Sequence, residues 1–511
     1  MTGIISIIYK NGKDPVRKVP LSQLFPKLHH RGVRGQYLFK TGSIEINVSG
    51  NQKEMMPGEV WVDVKKNSIL ALDGHVYNAE ILLSKYETDV QSPPREFARQ
   101  DAKALLAGYQ AIGKDIFNEA IGSFSGVIWD GNCLLGFKDP IGGKPLYCAD
   151  TQSFLIFASE LKALSTLHET IFPLNPGCVF SSNNGATKYF DSNTFQVPPS
   201  QRVTEEFFVN RIREIVKTAV RDNIYPGEHV CALLSGGIDS TVVVSLAKDL
   251  IKNLCVYTVA VEGSRDLVFA QRFTHACDLP HTVVKITLDD LLRVIPDVIY
   301  ALETFDAALI RSAIPMFIVS KKMKEGQNPD VVLTGEGGDE LFGGYDYLKD
   351  IPGGGVFNLE LLNLLQVEYK TGLQRVDRIP YHFSMEARAP LFDKRLVEFA
   401  FQIPHELKIR EVEGKKIEKY ILRKAFERDL PQDIVWREKE KFSKGVGSQF
   451  LLRDYFQNQI SDEEFESEKH VTDTFIVRSK EELYFWRIFD STFHPTPATI
   501  SHLGFTSSYE F

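Results

Sequence analysis

Six consecutive residues, Ser235 to Ser240 (SGGIDS), restrict the fold of this chain more than any other stretch of its sequence. They directly follow an apolar run, His229–Leu234, that is typical of a buried strand, and they open a helix whose periodicity extends to Leu250. Two adjacent glycines allow a sharper backbone turn than residues with a side chain can make. The segment therefore predicts the strand–loop–helix unit of a parallel α/β sheet.

The same alternation of strand and helix continues after this unit. Strands are predicted at Cys255–Val261, Thr282–Ile286 and Val331–Thr334, and a helix is predicted at Leu291–Thr304. Such alternation implies βαβ crossovers and a doubly wound parallel sheet with helices on both faces. Beyond residue 355 the pattern is predominantly helical.

The first 190 residues show short β-branched runs separated by turn dipeptides, which predicts a mostly β domain with two or more helices. The clearest hairpin joins Gly126–Trp129 to Cys133–Phe137, and the pair Asp130-Gly131 is predicted to supply the positive φ angles of a tight turn. A polar stretch with two prolines follows at 190–205. We therefore predict two domains, 1–200 and 201–511.

Composition excludes several classes of protein. With 43% hydrophobic and 25% charged residues, the 511-residue chain has the composition of a globular protein, and its net charge of -8 argues against general nucleic-acid binding. No run approaches the ~20 apolar residues that span a bilayer, and the six cysteines form no CxxC pair. These features predict a cytoplasmic protein without a membrane or nucleic-acid partner.

The Ser235–Ser240 loop has the chemistry of a phosphate site. Its glycines let the backbone approach a phosphate, the helix N-terminus offers free N–H groups, and Ser240 adds a hydroxyl. A carboxylate in this position repels polyphosphate unless a cation intervenes, so Asp239 is predicted to bind Mg²⁺. The alternative is an ordinary loop followed by a helix N-cap.

A second loop follows the strand Val331–Thr334. The eleven residues Gly335 to Tyr345 (GEGGDELFGGY) contain five glycines and three acids, which suit neither a core nor a helix. Because loops at the carboxyl ends of parallel strands share one edge of the sheet, this loop is expected to face the same crevice as the first. Asp339 could then share the metal with Asp239. The alternative is a solvated acidic turn.

These two loops resemble the active-site loops of asparagine synthetases, and the resemblance covers residues 205–495. Further motifs in the same order carry it: Leu302–Thr304, Ile310–Ser312, Pro315-Met316, Met385–Asp393, Lys439–Gly447 and the helix with Trp486 and Phe489. A weaker resemblance to the glutaminase domain of that family lies at His30–Gly32, Asp73–Asn78 and Ala158–Ala163. The resemblance implies an Ntn-hydrolase-like αββα sandwich followed by a doubly wound α/β domain of the PP-loop ATP pyrophosphatase type.

The resemblance also implies an activity. A carboxylate, aspartate above all, would attack ATP to give an acyl-adenylate and pyrophosphate, and ammonia would then form the amide and release AMP. The cofactors implied are ATP and Mg²⁺. The nucleotide site implied comprises Leu233, Val261, Thr334 and Gly335 around adenosine, Ser235, Gly236, Gly237 and Ser240 around pyrophosphate, and Asp239 and Asp339 on the metal.

Four residues are implied to be catalytic by the same resemblance. Lys439 would stabilise charge on phosphorus and on the oxyanion, Arg311 would contact phosphate, and Glu336 would accept a proton from the amine. Glu386, in the motif Met385–Asp393, completes the set. Two alternatives stay open: Lys439 lies in a basic run typical of a solvated face, and Arg311 could simply pair with an acid.

The chain departs from the family at its glutaminase site. Thr2 stands where the family has its cysteine nucleophile, and Asp73-Gly74-His75 stands where it has Asn-Gly-Glu. A hydroxyl is a weaker nucleophile than a thiol, and the carboxylate of Asp73 would repel an oxyanion. The first domain is therefore predicted to be an inactive glutaminase. Ala308, in place of a usual Thr, and Lys444, in place of a usual Asp, are further departures.

Three functions remain open at this stage. The first is an ammonia-using ligase. The second is an intramolecular cyclase resembling β-lactam synthetases, although those carry Tyr where Glu336 stands and lack the Lys439 loop. The third is a nucleotide-binding scaffold without turnover. The sequence does not give the oligomeric state, and a homodimer remains one outcome.

Overall fold

The computed structural model describes residues 2–10, 19–32, 35–50, 59–87, 99–196, 203–438, 448–473 and 475–506. They form two compact units. The first unit contains the residues up to Asp191 together with Asp490–Leu503, and the second contains Ser192–Phe489 and the residues from Gly504. Nothing in the sequence indicates the return of Asp490–Leu503 to the first unit, and the boundary near residue 200 stays a prediction.

The first unit contains two antiparallel sheets of six strands each. The strands are β1 (Thr2–Tyr9), β2 (Gly35–Thr41), β3 (Ile44–Gly50), β4 (Val60–Asp63), β5 (Ser68–Val76), β6 (Gly122–Trp129), β7 (Leu134–Lys138), β8 (Tyr147–Asp150), β9 (Phe154–Ala158), β10 (Phe172–Pro173), β11 (Cys178–Ser181) and β12 (Gly185–Lys188). One sheet has the order β10-β8-β9-β1-β3-β2 and the other β12-β11-β7-β6-β5-β4.

Both faces of β5, in the second sheet, are buried, and successive side chains of this strand point to opposite faces. In β5, Ile69 and Ala71 join Ile4 in the core between the sheets, and Leu70 and Leu72 join a second core under the helices. The helices are α1 (Leu21–Leu24), α2 (Ala79–Tyr86), α3 (Asp101–Ile112), α4 (Ile116–Glu119) and α5 (Leu161–Leu164). Since α5 packs on β9 of the other sheet, the predicted αββα sandwich is confirmed.

The predicted β6–β7 hairpin is present, but its predicted turn is wrong. Of the pair Asp130-Gly131, only Gly131 has a positive φ, of 96°. The Asp130 carboxylate instead accepts hydrogen bonds from the backbone N–H groups of Asn132 (2.9 Å) and Cys133 (2.7 Å). The side chain thus stabilises a longer turn, as Asp commonly does in loops.

The second unit contains a parallel sheet of five strands. The strands are β13 (Val230–Leu233), β14 (Cys255–Ala260), β15 (His281–Lys285), β16 (Val331–Leu333) and β17 (Glu386–Arg388), in the order β15-β14-β13-β16-β17. The strand order reverses beside β13, so a crevice opens at the carboxyl ends of β13 and β16. The predicted parallel sheet is confirmed, whereas β17 is too short and polar to be predicted.

Helices and two small hairpins occupy the chain from residue 205 onward; they lie in the second unit, except Pro497–Ser501 and the last four residues of Lys480–Phe493, which lie in the first. The helices from residue 205 onward are α6 (Glu205–Asp222), α7 (Ile238–Ala247), α8 (Arg265–Ala276), α9 (Leu288–Arg293), α10 (Ile295–Leu302), α11 (Ala307–Glu325), α12 (Gly338–Phe342), α13 (Gly355–Val367), α14 (Gly372–His382), α15 (Lys394–Ala400), α16 (His405–Lys408), α17 (Tyr420–Phe426), α18 (Gln432–Val435), α19 (Ser448–Gln459), α20 (Asp462–Glu468), α21 (Lys480–Phe493) and α22 (Pro497–Ser501). The hairpin strands are β18 (Arg410–Val412), β19 (Lys415–Ile417), β20 (His470–Thr472) and β21 (Phe475–Ile476).

One predicted helix is wrong in its extent. The helix expected at Leu291–Thr304 is divided into α9 and α10, which meet at Val294. Pro296 lies in the first turn of the second helix, where its missing N–H group costs nothing, but it could not continue the first helix. Among the described helices, none is both long enough and apolar enough to cross a bilayer.

We predict that Phe117→Ala destabilises the first unit by about 3–5 kcal/mol, because it leaves a cavity in the core under the helices. Phe117 is fully buried and stacks on Phe137 at a centroid distance of 4.4 Å. The measurement is the unfolding transition of this unit in urea. Ile81→Ala, on the exposed face of α2 (66% exposed), is the control and should change stability by less than about 0.5 kcal/mol.

Candidate active site

The loop between β13 and α7 makes a turn that only glycine tolerates. Gly236 has a φ of 72°, and a Cβ there would lie 2.6 Å from the carbonyl oxygen of Asp266. The N–H group of Ser235 donates to Ser240 Oγ at 3.1 Å, which closes the loop on the first turn of the helix. The N-terminal N–H groups of α7 therefore face the carboxyl end of the sheet, where they can bind an anion.

The second loop packs directly against the first. A Cβ on Gly335 would lie 2.6 Å from Ser240 Cα, and a Cβ on Gly338 would overlap the carboxylate of Asp239. The contact at Gly335 is with backbone atoms and therefore requires glycine, whereas a side chain at residue 338 would displace the Asp239 carboxylate. The structure thus brings together the two loops that the sequence singled out.

Asp239 and Asp339 converge on one cation, the ammonium group of Lys419. Lys419 Nζ forms an ion pair with Asp239 and lies 2.6 Å from Asp339 Oδ1. Burial opposes the charge on Lys419, whose side chain is 2% exposed, but the two carboxylates outweigh burial and raise its pKa well above the ordinary value. No sequence pattern pointed to Lys419, because it lies in a charged stretch without periodicity.

A cleft at this edge of the sheet collects most of the predicted residues. Those that line it are Leu233, Ser235, Gly237, Asp239, Ser240, Thr334, Gly335, Glu336 and Asp339. The cleft also has lining residues that the sequence analysis missed. They include the cations Lys419, Arg375, Arg423 and Arg437, and the apolar residues Leu309, Met316, Val319, Leu364 and Val367.

The other predicted site residues either do not line the cleft or lie outside the described residues. Among the described residues, the lining does not include Gly236, Val261, Arg311 or Glu386. Arg311 pairs with Glu481 at 2.8 Å, as the alternative interpretation anticipated, and Glu386 pairs with Arg388 at 3.0 Å inside the sheet. Lys439 lies outside the described residues. Of the three predicted catalytic residues that the structure describes, Glu336 lines the cleft, and Arg311 and Glu386 do not.

Two acids of the second loop are held by specific partners. Glu336 forms an ion pair with Arg375, and Glu340 accepts a hydrogen bond from the Tyr345 hydroxyl at 2.5 Å. Burial, followed by the charge of Asp339, raises the pKa of Glu340 to about 7. Within the described ranges, Glu340 Oε2 and Thr334 Oγ1 are buried without a hydrogen-bond partner. Both residues line the cleft, so a bound ligand could satisfy them.

The residues present fit a Mg²⁺ ion that arrives with phosphate. Over the described part of the chain, no group of three or more His, Cys, Asp or Glu side chains could hold a metal by itself. Mg²⁺ commonly needs only one or two protein carboxylates, because phosphate oxygens and water supply its other ligands. Asp239 and Asp339 reach one shared cation beside the helix N-terminus and therefore provide this arrangement.

In the first unit, the predicted degenerate glutaminase site is occupied by a buried ion pair. Arg31 Nη2 lies 2.7 Å from Asp73 Oδ2, and both side chains are fully buried. The backbone N–H of Thr2 donates to Asp73 Oδ1 at 3.3 Å, and Arg31 Nε donates to the Thr2 carbonyl at 3.3 Å. Gly74 (φ 107°) and the buried His75 continue the same strand, β5. Both oxygens of Asp73 are therefore engaged.

Arg31 also connects Asp73 to a second acid. Arg31 Nη1 lies 2.8 Å from Glu160 Oε1, and Glu160 pairs with His30 at 3.0 Å and with Lys162. Burial opposes the charge of Glu160, but His30, Lys162 and Arg31 together hold its pKa well below the usual range. Residues that resembled a glutamine-hydrolysing site thus form a closed charge network.

Comparison with known proteins agrees with this geometry. A family model described as asparagine synthase matches residues 211–355 and 354–485, and one described as a glutamine amidotransferase domain matches residues 59–166. A probable glutamine-hydrolysing asparagine synthetase of Schizosaccharomyces pombe is 32% identical over 83% of this chain and 81% of its own length. Asparagine synthetase B of Escherichia coli is 30% identical over 85% of this chain and 80% of its own length. This chain belongs to the asparagine synthase family and combines an amidotransferase-type sandwich with a PP-loop α/β unit.

Proposed function

We propose that this chain is an AMP-forming carbon–nitrogen ligase that activates a carboxylate with ATP and couples it to ammonia. The observation that carries the proposal is the convergence of Asp239 and Asp339 beside the Ser235–Ser240 loop, in a cleft at the switch point of the sheet. Aspartate is the first candidate for the carboxylate, because the Schizosaccharomyces pombe and Escherichia coli relatives are named asparagine synthetases.

The first step forms an acyl-adenylate. A substrate carboxylate oxygen bonds to the α-phosphorus of ATP while the bond from that phosphorus to the bridging oxygen breaks and pyrophosphate leaves. The N–H groups at the start of α7 and the hydroxyl of Ser240 would bind the departing pyrophosphate. Asp239 and Asp339 would hold Mg²⁺, which supplies positive charge to the polyphosphate when bound. Arg423 and Arg437 add positive charge to the same cleft.

The second step transfers the acyl group to ammonia. The ammonia nitrogen bonds to the acyl carbon, the bond from that carbon to the AMP oxygen breaks, and the nitrogen loses one proton. Glu336 faces the cleft and is oriented by its ion pair with Arg375, so it is the proposed proton acceptor. The expected catalytic role of Lys439 stays a prediction, because the residue lies outside the described part of the chain.

The amine donor is proposed to be ammonia itself. Release of ammonia from glutamine requires a nucleophile and a hydrogen-bond donor that stabilises an oxyanion. Thr2 lacks the thiol, and the carboxylate of Asp73 is fixed by Arg31 at the position where an amide would be needed. A negative charge there repels an oxyanion rather than stabilising it.

We predict that purified protein with aspartate, ATP and Mg²⁺ releases AMP when ammonium is added. Because the Arg31–Asp73 ion pair blocks glutamine hydrolysis, glutamine should give no more AMP than buffer and should yield no glutamate. The measurement is AMP and glutamate release with ammonium, glutamine or no added amine. Faster AMP release with glutamine would contradict the ammonia dependence. Release without any amine would favour an intramolecular cyclase, and no release with any small carboxylate would favour a scaffold.

We predict that Asp339→Asn lowers kcat/KM for ATP by about 100-fold or more, since it removes one of two charges proposed to hold the metal beside the polyphosphate. The measurement is ammonium-dependent AMP release at varied ATP. Asp346→Asn is the matched control, because that side chain is 80% exposed and pairs only at the surface with Lys349 among the contacts described. Equal activity of the two variants would remove Asp339 from the proposed metal site.

A further inference from the structure

Lys419 occupies the point between Asp239 and Asp339, yet the proposed reaction assigns it no step. Its ammonium group pairs with both carboxylates, and its side chain is 2% exposed. Long cationic side chains normally extend into water, so a lysine buried between two acids indicates a specific arrangement. The two acids that Lys419 joins are those proposed to bind the metal.

The surroundings of Lys419 are built around its side chain. A Cβ on Gly344 would overlap both the Asp339 carboxylate and Lys419 Cε, so glycine at residue 344 lets these two side chains lie against the second loop. Lys419 itself has a φ of 54°, a conformation that residues with side chains rarely adopt. Its carbonyl accepts the N–H of Arg423 at 3.0 Å, which fixes the backbone at the start of α17.

The net charge of Asp239, Asp339 and Lys419 decides which ions can bind beside them. Two carboxylates and one ammonium leave a net charge of about -1, which is too little to attract a divalent cation past the lysine. A metal that arrives alone must displace the ammonium group or lie against it. A bound polyphosphate adds several negative charges at the same place, and these can balance both the ammonium group and the metal.

We propose that Lys419 is the resident counter-cation of Asp239 and Asp339 in the nucleotide-free protein, so that a divalent cation binds there only together with a polyphosphate. This inference rests on the metal ligands named in the proposed function. Lys419 is a positioning residue in this account: it holds the two carboxylates in place before the nucleotide arrives, and it prevents metal binding without nucleotide.

The first test uses wild-type protein and Mn²⁺, followed by electron paramagnetic resonance. We expect an ATP analogue with a non-cleavable α–β bridge to increase Mn²⁺ binding to the protein by at least about tenfold over Mn²⁺ alone. Titration of the analogue without protein corrects for Mn²⁺ that the analogue holds in solution. Equally tight binding of Mn²⁺ with and without the analogue would overturn the proposal.

The second test uses Lys419→Met, which keeps the length of the side chain and removes its charge. We expect Mn²⁺ alone to bind this variant at least about tenfold more tightly than wild type and to raise its Tm, while the Tm of wild type does not change. Adding Asp239→Asn should remove the gain. Lys424→Met, on the helix that Lys419 precedes but paired with Glu427 at the surface, should behave as wild type.

A folded Lys419→Met protein that binds Mn²⁺ no better than wild type would overturn the proposal. If that variant does not fold, the wild-type titration decides. Neither experiment measures turnover, so a protein that releases no AMP but shows these Mn²⁺ affinities would contradict the proposed function and leave this inference standing.

Discussion

The arrangement of the second unit depends on a backbone contact that is closer than any side chain permits. Gly335 and Gly338 place the loop after β16 directly on Ser240 and Asp239, so the two loops form one surface rather than two neighbouring turns. This contact holds the main chains of the two loops together, and Lys419 pairs with the acid that each loop carries. Residues of both loops, including Asp239 and Asp339, line the cleft at this contact.

Both units place one cation between two buried or half-buried carboxylates, with different consequences. In the first unit the guanidinium of Arg31 lies between Asp73 and Glu160, all three are fully buried, and each charge is fixed by a bidentate or paired contact. In the second unit the ammonium of Lys419 lies between Asp239 and Asp339 at the wall of a cleft. The ion pairs of the Arg31 guanidinium are closed off from solvent, so they stabilise a single arrangement. The ammonium group of Lys419 lies beside an open cleft, so it can exchange one partner for another.

The sequence predicted those features that arise from local patterns. Apolar runs gave β13, β14, β15 and β16, and glycine and acid content identified both loops, because these signals depend on a few adjacent residues. The sequence did not predict β17, Lys419 or the partner of Arg311. Each of these depends on residues that are far apart in the chain and meet only in the fold. The Asp130 turn and the helix break at Pro296 were missed for a different reason. In each case the same residues allow two local conformations, and the sequence pattern does not distinguish between them.

The position of β17 has a consequence for how the protein is made. β16, which carries the second loop, lies inside the sheet only after Glu386–Arg388 has paired with Val331–Leu333, some fifty residues later in the chain. Until the ribosome has released that segment, β16 is an edge strand with unpaired backbone groups, which invites association with other chains. The strand that precedes the Asp339 loop is therefore covered on both edges only late in synthesis, and a nascent chain stopped before residue 386 should bind chaperones.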